Sequence, residues 1–381
     1  MKNKIPLSLY IHLPWCLQKC HYCDFNSIAI NPAKINFKDY LNALLIDLKQ
    51  QLKITKSRPI HSIYIGGGTP SILSGIQIHE LLSTIKNRIV TTKNPSITIE
   101  INPATITKRD LEFYQQAQIN RLSIGAQSFD DKILKKINRA CDSSDIIKTI
   151  KDSHNMGFDD INLDLIYGLP SQNINQALDD LKQAIDLPIT HVSWYQLSIE
   201  PRTYFYKNKP QNLPNESKII KTMDAGFNFL NKKNMKQYEI SAYCKDHYQS
   251  IHNLNYWNYG DFIGIGAGAG GKITSYDKKI YRTMNQTNIK KYQNNPIATK
   301  TTALLKQQDI IVEFMMNVLR LNTGFNQKLF NERTFIEFTT IEKTVKDLIN
   351  KNYLKINQDK NYTTTKKGAM LLDSIIEYFI H

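Results

Sequence analysis

Six times in succession, a short apolar run is followed by a segment with helical periodicity. Leu7–Leu13, Ser62–Gly67, Ser96–Asn102, Arg121–Ser128, Ile161–Gly168 and His191–Glu200 read as strands, rich in branched residues and bounded by turn residues. Helices are expected near Phe37–Lys53, Ile76–Ile89, after Thr107, near Asp131–Ile137, Ser143–Met156, Ile174–Asp186 and Glu216–Asn231. A strand, a crossover helix and a second strand place the two strands parallel. The expected fold class is therefore α/β, with the sheet wholly or partly closed as a (β/α)6 barrel.

The alternation inside these strands carries more information. Thr98, Glu100 and Asn102 share one face, against Ile97, Ile99 and Ile101 on the other. Asn162 and Asp164 share a face, as do Ser123, Gly125 and Gln127. A closed eight-stranded barrel fills its interior with branched apolar side chains. Polar groups pointing inward instead suit a cavity that holds a polar ligand. An open antiparallel sheet with one wet face would show the same alternation, but the βα order argues against it.

After the sixth unit the pattern changes. Gln237–Cys244 reads as a short strand, His252–Trp257 as a loop, Asp261–Gly271 as a glycine-rich stretch and Thr287–Thr302 as a linker. Helices are expected near Leu304–Leu321, Gln327–Phe330 and Ile341–Asn350. They are followed by strands Leu354–Ile356 and Tyr362–Thr364 around the turn at Gln358, Asp359 and Lys360, then a helix from Lys366. Helices followed by a small hairpin resemble a winged-helix module, an analogy that does not by itself carry a function. The expected division is a barrel over residues 1–235, a connecting region over 236–300 and a smaller α+β domain over 301–381.

Length and composition exclude several classes. A chain of 381 residues has room for about two or three domains. No apolar run reaches the roughly 18 residues of a membrane span. Lys2 and Lys4 precede an apolar stretch interrupted by Pro6, His12 and Pro14, which reads as a strand rather than a leader. Five cysteines and no leader point to a reducing compartment, and the cytoplasm is expected. The net charge of +15 attracts anions and is compatible with peripheral contact with anionic lipid. The lysines are scattered and no nucleic-acid module is recognisable, so no nucleic-acid partner is expected. The oligomeric state stays open.

Cys16, Cys20 and Cys23 form the spacing C-x3-C-x2-C in a loop after the first strand. Three thiolates on one loop can hold three irons of a [4Fe–4S] cluster and leave the fourth open. The alternative is zinc, with His12, His21 or Asp24 as the fourth ligand, but zinc sites usually pair two C-x2-C knuckles and this chain has one. One βα unit later comes Gly66-Gly67-Gly68-Thr69-Pro70, where missing side chains let backbone amides approach a ligand. Glu100, Asn102, Gln127, Ser128 and Asp164 lie toward the C-terminal ends of their strands, where barrels collect functional groups.

The cysteine spacing resembles the signature of the radical S-adenosylmethionine (SAM) superfamily. The wider pattern resembles the oxygen-independent coproporphyrinogen III oxidase family within it, and most closely that family's haem chaperone branch. The resemblance rests on Tyr10–Cys16, Ile65–Ser71, Glu100–Pro103, Arg121–Phe129, Asn162–Pro170 and His252–Trp257. It implies that Cys16, Cys20 and Cys23 hold a [4Fe–4S] cluster with SAM on the open iron. It places Tyr10, Tyr22, Gly67, Gly68, Thr69 and Glu100 against SAM, with Gln127, Arg139 and Asp164 lining the same cavity. In that branch the run His252-Asn-Leu-Asn-Tyr-Trp257 binds haem, with His252 as its implied ligand.

Two departures separate the branches. The oxidases carry a further cysteine two residues past the third ligand, where this chain has Phe25, and a longer segment before the cluster than the fifteen residues before Cys16. The expected function is thus binding of haem and its transfer to acceptor proteins, including respiratory ones. The alternative is oxidative decarboxylation of coproporphyrinogen III. Where the family has a histidine after Arg139, this chain has Cys141, and the family's Gly-Leu-Pro-Gly-Gln appears as Gly168-Leu-Pro-Ser171-Gln172. The roles of Cys141 and Cys244 stay open.

Overall fold

The protein is described by a computed structural model covering residues 5–380. The six expected βα units are present. Their strands are β1 (Leu7–Leu13), β2 (Ile60–Gly67), β3 (Thr91–Ile101), β4 (Arg121–Gln127), β5 (Ile161–Tyr167) and β6 (His191–Gln196). They lie side by side in that order, all parallel. The helices Phe37–Thr55, Gly75–Lys86, Lys108–Gln116, Ser143–Asn155 and Ile174–Ile185 cross between them. Most begin at a polar cap; Asn36, Thr107, Asp142 and Asn173 each accept a bond from a first-turn amide.

The region expected as a connection, residues 236–300, instead adds strands to both edges of the sheet. Strands β7 (Lys236–Glu239) and β8 (Ala242–Cys244) form a tight antiparallel hairpin, and β8 pairs with β6. Strand β9 (Asp261–Ile265) pairs parallel with β1 on the opposite edge, in the register Leu7↔Asp261. It is followed by antiparallel β10 (Gly270–Thr274), β11 (Ile280–Met284) and β12 (Thr301–Leu304). The result is one twelve-stranded sheet. The linker expected at Thr287–Thr302 holds the helix Ile289–Asn294 and the start of β12.

One face of the parallel strands is aliphatic. Leu7, Leu9, Ile11, Ile63, Ile65, Ile99, Leu122, Ile124, Leu163 and Val192 are buried with the crossover helices in one large core. The opposite face is polar and partly open. Tyr10, Glu100, Gly125, Asp164 and Ser193 are incompletely buried, although they sit mid-strand between fully buried neighbours. Those residues share the face of the strands opposite the crossover helices. The C-terminal unit packs the helices Gln307–Val318, Gln327–Thr334 and Thr339–Asn350 and the hairpin Leu354–Ile356/Tyr362–Thr364 around its own core of Phe314, Phe325, Phe330 and Leu348.

Candidate functional site

The cysteine loop leaves the C-terminal end of β1 and is tied down on three sides. Trp15–Cys16 pairs with Ile28–Ala29. Gly68 donates its amide to Leu13 O at 2.8 Å and Thr69 to Trp15 O at 2.7 Å. Asn138 donates to Lys19 O at 2.9 Å and His21 N–H to Ile137 O at 3.0 Å. Lys19 Nζ closes the loop on itself through Phe25 O and Ser27 O, at 3.1 and 3.0 Å. All three thiols are free.

Burial pushes the Cys16 thiol up, and the Cys23 thiol up to about 11. Arg139 Nη1 donates to Cys20 Sγ at 3.6 Å, and Nη2 bonds Gly125 O. Among the described residues no three His, Cys, Asp or Glu side chains converge tightly enough to hold a single ion. Three free thiols on one pinned loop, with a guanidinium beside one sulfur, fit a cluster whose irons are ligated one by one.

The structure revises the role of the glycine loop. The amides of Gly67, Gly68 and Thr69 are not aimed at a ligand: Gly67 N–H donates to Glu100 Oε2 at 3.1 Å, and the other two hold the cysteine loop. A Cβ on Gly68 would lie 2.6 Å from Trp15 O, and one on Gly67 2.7 Å from His12. These glycines are small so that strand, loop and His12 can meet, with Gly67 at φ +118° besides.

Glu100 stands at the centre of the chamber. Its Oε1 accepts from the Tyr64 hydroxyl at 3.0 Å. Burial, then repulsion from Asp164, pushes its carboxyl up to about 7. Asp164 accepts from Asn162 Nδ2 at 2.8 Å and from Ser123 at 3.2 Å, and burial raises it as well. Gln127 sits at φ +75°, where the register between β4 and β5 slips, and accepts from the Tyr195 hydroxyl at 3.1 Å. Asp180 holds that strand end, bonding Phe129 N–H at 2.6 Å and Ser128 Oγ at 2.9 Å. Tyr22 lies among Cys20, Arg139 and Tyr195, its phenol raised by burial. Tyr10 donates to His12 Nδ1 at 3.0 Å, while His12 Nε2 donates to Asn26 O at 2.8 Å. Tyr10, Tyr64, Gly67 and Asp164 thus lie about Glu100, and Tyr195 joins them to Gln127, Arg139 and Tyr22. Paired carboxylates with phenols and an amide suit a ligand carrying an ammonium and several hydroxyls.

Sequence reasoning missed Tyr64, Tyr195 and Asp180. The first two were within reach of strand alternation, since Tyr64 shares a face with Ser62, and Tyr195 with Ser193. Asp180 is on a helix and carried no such signal.

His252 is not on a loop. Ile251–Trp257 is a helix capped by Ser250, and His252 is 1% exposed. Its Nδ1 bonds Ser62 Oγ at 3.0 Å and its Nε2 bonds the Tyr256 hydroxyl at 2.6 Å. Burial lowers its pKa to about 3. Neither ring nitrogen is presented to a ligand in this conformation. The same helix does present Tyr256 and Trp257 to a cleft of about 180 Å³, shared with Phe262, Arg282 and Asn317. Arg282 also lines a neighbouring cleft of about 430 Å³. Trp257 carries the Arg320 guanidinium 4.3 Å over its ring, and its Nε1 has no hydrogen-bond partner among the described residues.

Comparison with known proteins agrees with this arrangement. Residues 10–184 match the model of the radical SAM superfamily, and residues 305–371 match the HemN C-terminal domain. The chain is 43% identical over 375 residues to the haem chaperone HemW of Buchnera aphidicola subsp. Schizaphis graminum, covering 98% of each. It is 39% identical over 375 residues to HemW of Escherichia coli K12, again covering 98% of each. The chain belongs to the HemW family. Among solved structures, coproporphyrinogen III oxidase (HemN) of Escherichia coli superposes with a TM-score of 0.82 over 99% of this chain and 90% of that one. At 22% identity that match shows the shared fold. Radical SAM membership implies SAM and a [4Fe–4S] cluster, and the thiol loop and the acidic chamber fit both. Among the described residues, no helix is long and apolar enough to cross a membrane.

Proposed function

We propose that this protein binds haem and passes it to acceptor proteins in the cytoplasm or at the membrane surface, respiratory enzymes among them. The observation that carries the reading is the identity to haem chaperones over nearly the whole chain. Phe25, 58% exposed where the oxidases have a further cysteine, supports it against coproporphyrinogen oxidation.

In this reading Cys16, Cys20 and Cys23 hold the cluster. Tyr10, Tyr22, Gly67, Gly68, Thr69, Glu100, Gln127, Arg139 and Asp164 surround SAM on its open iron. When bound, the cluster supplies a one-electron centre. Glu100 would take the ammonium of SAM, and Arg139, bonded to Cys20 Sγ, would stand at the cluster end of the site.

Haem would bind at the helix Ile251–Trp257, where the cleft of Tyr256, Trp257 and Phe262, about 180 Å³, has to open to admit a porphyrin. His252 acts there through the Tyr256 hydroxyl, and ligation of iron by His252 itself would require exchange of both its hydrogen bonds.

Anaerobic reconstitution should give about four irons per chain and an oxygen-labile absorption, both lost in Cys20→Ala. The cluster-loaded protein, given coproporphyrinogen III, SAM and reductant, should form no protoporphyrinogen. Given haem, it should develop a Soret band that weakens in His252→Ala. Efficient decarboxylation without haem binding would reverse the assignment.

A further inference from the structure

The outermost strand of the twelve-stranded sheet is paired on one side only. Strand β12 (Thr301–Leu304) pairs with β11 in the register Met284↔Thr301 and Arg282↔Ala303, and among the described residues no strand lies on its other side. Leu305 N–H donates to Ile280 O at 2.9 Å, which fixes the phase of the ladder. Bonded and non-bonded residues alternate along an antiparallel pair. Thr301 and Ala303 therefore bond β11, and the main-chain N–H and C=O of Thr302 and Leu304 point outward. All four residues of the strand are exposed, and none is charged or proline. Natural sheet edges are usually blunted by lysine, proline or a covering element. Lys300, next to the strand, gives no such protection, because its ammonium is buried against Asp47 at 2.9 Å.

We propose that this edge takes up an extended, acidic segment of a partner protein as a further strand. The outward main-chain groups of Thr302 and Leu304 require a partner with an extended backbone. Thr301 and Ala303 share a face with Met284 and Arg282, and these four residues line the cleft of about 430 Å³. Alternate side chains of an added strand fall beside that cleft, and Met284, 50% exposed, gives them an apolar wall. The charge of the partner follows from the surrounding chain. From Lys278 to Lys306 there are seven Lys or Arg and no Asp or Glu, and Lys290, Lys291 and Lys306 are exposed. An acidic segment complements that stretch, whereas a second copy of this chain would set two such basic stretches against each other.

The inference uses neither the cluster nor SAM nor haem. Strand β12 is separated from β1 and its cysteine loop by β9, β10 and β11. Failure of the proposal therefore leaves the haem reading untouched. Binding here is main-chain hydrogen bonding supported by charge, so it weakens as salt screens the lysines.

The test uses the full chain and a fluorescein-labelled peptide of about eight residues in which valine alternates with glutamate. Fluorescence anisotropy should show saturable binding that weakens with added salt, and a counterpart with lysine in place of glutamate should not bind. Thr302→Pro removes one outward N–H at a position where an edge strand tolerates proline. It should weaken binding about tenfold, and Thr302→Val, which keeps the N–H, should restore it. If Thr302→Pro does not fold, residue-resolved hydrogen exchange of the parent decides. The amides of Thr302 and Leu304 should slow when the peptide is added, with that of Ala303 unchanged. Equal binding of the two peptides, binding by folded Thr302→Pro equal to the parent's, or no slowing at Thr302 and Leu304 overturns the proposal. So does displacement of the peptide by a single-stranded oligonucleotide whose own binding survives Thr302→Pro, which assigns the basic stretch to nucleic acid. A concentration-dependent dimer abolished by Thr302→Pro also overturns it and assigns the edge to a second copy.

Discussion

Tyr64 donates its hydroxyl to Glu100 Oε1 at 3.0 Å, between strands adjacent in the barrel, while Gly67 donates its amide to Glu100 Oε2. One carboxylate therefore joins the second strand, the glycine loop and the ligand chamber. Its two bonds do not offset its burial beside Asp164, and it titrates near neutrality.

That position makes Glu100 a pH-dependent element of the apoprotein. Its carboxyl is raised from 4.5 to about 7 on folding. The folded state binds this proton more tightly, so the stability it contributes is present below pH 4.5 and lost as pH rises to about 7. Glu100→Gln should raise the apo melting temperature relative to the parent at pH 8, with the difference shrinking at pH 5. A gain of equal size at both values would show that Glu100 is ionised throughout.

His252 has the opposite sign. Its pKa falls from 6.5 to about 3 on folding, so the neutral ring's contribution is present above pH 6.5 and lost as pH falls from there toward 3. His252→Gln should flatten the decline of the apo melting temperature between pH 7 and pH 5. His191, buried between Asn162 and Tyr238 and also lowered, declines in both proteins, so the readout is their difference.

Gly68 tests the loop's attachment. A methyl there meets the Trp15 carbonyl, a backbone atom with nowhere to go. Gly68→Ala should cost about 1–3 kcal/mol by overpacking and lower the iron retained after reconstitution. In Gly270→Ala the nearest atom would be the Met284 side chain at 3.5 Å, and that variant should retain iron like the parent. Equal iron content in the two variants would remove Gly68 from the loop's support.

Asp261 tests the added edge of the sheet. It is fully buried and takes Arg58 Nη2 at 2.6 Å, Lys272 Nζ at 2.9 Å and the amide and hydroxyl of Thr274. Lys272 is itself 1% exposed. Asp261→Ala leaves that ammonium buried without its partner and should cost about 3–5 kcal/mol in urea unfolding. A cost below about 1 kcal/mol, the worth of an exposed pair, would mean the site fills with water.

Much of this protein was legible locally. The βα order predicted six parallel strands, and strand alternation predicted the polar face carrying Glu100, Gln127 and Asp164, because both periods depend on neighbouring residues alone. The cysteine spacing marked out the loop after the first strand for the same reason.

Contacts between distant residues were not legible. Strand β9 lies beside β1 through Leu7↔Asp261, and no local pattern in a glycine-rich stretch announces a partner so far along the chain. The run His252–Trp257 looked like a loop because asparagines favour turns. It becomes a helix because Ser250 caps it and because Asn255 and His252 find Ser8 and Ser62 inside the barrel. The amides of Gly67–Thr69 looked free for a ligand until the fold brought Glu100, Leu13 and Trp15 against them. By itself the sequence determined which side chains share a face, since strand and helix periods are local. The tertiary structure alone decided which of their donors remain available to a ligand, since every buried polar group first finds a partner within the fold.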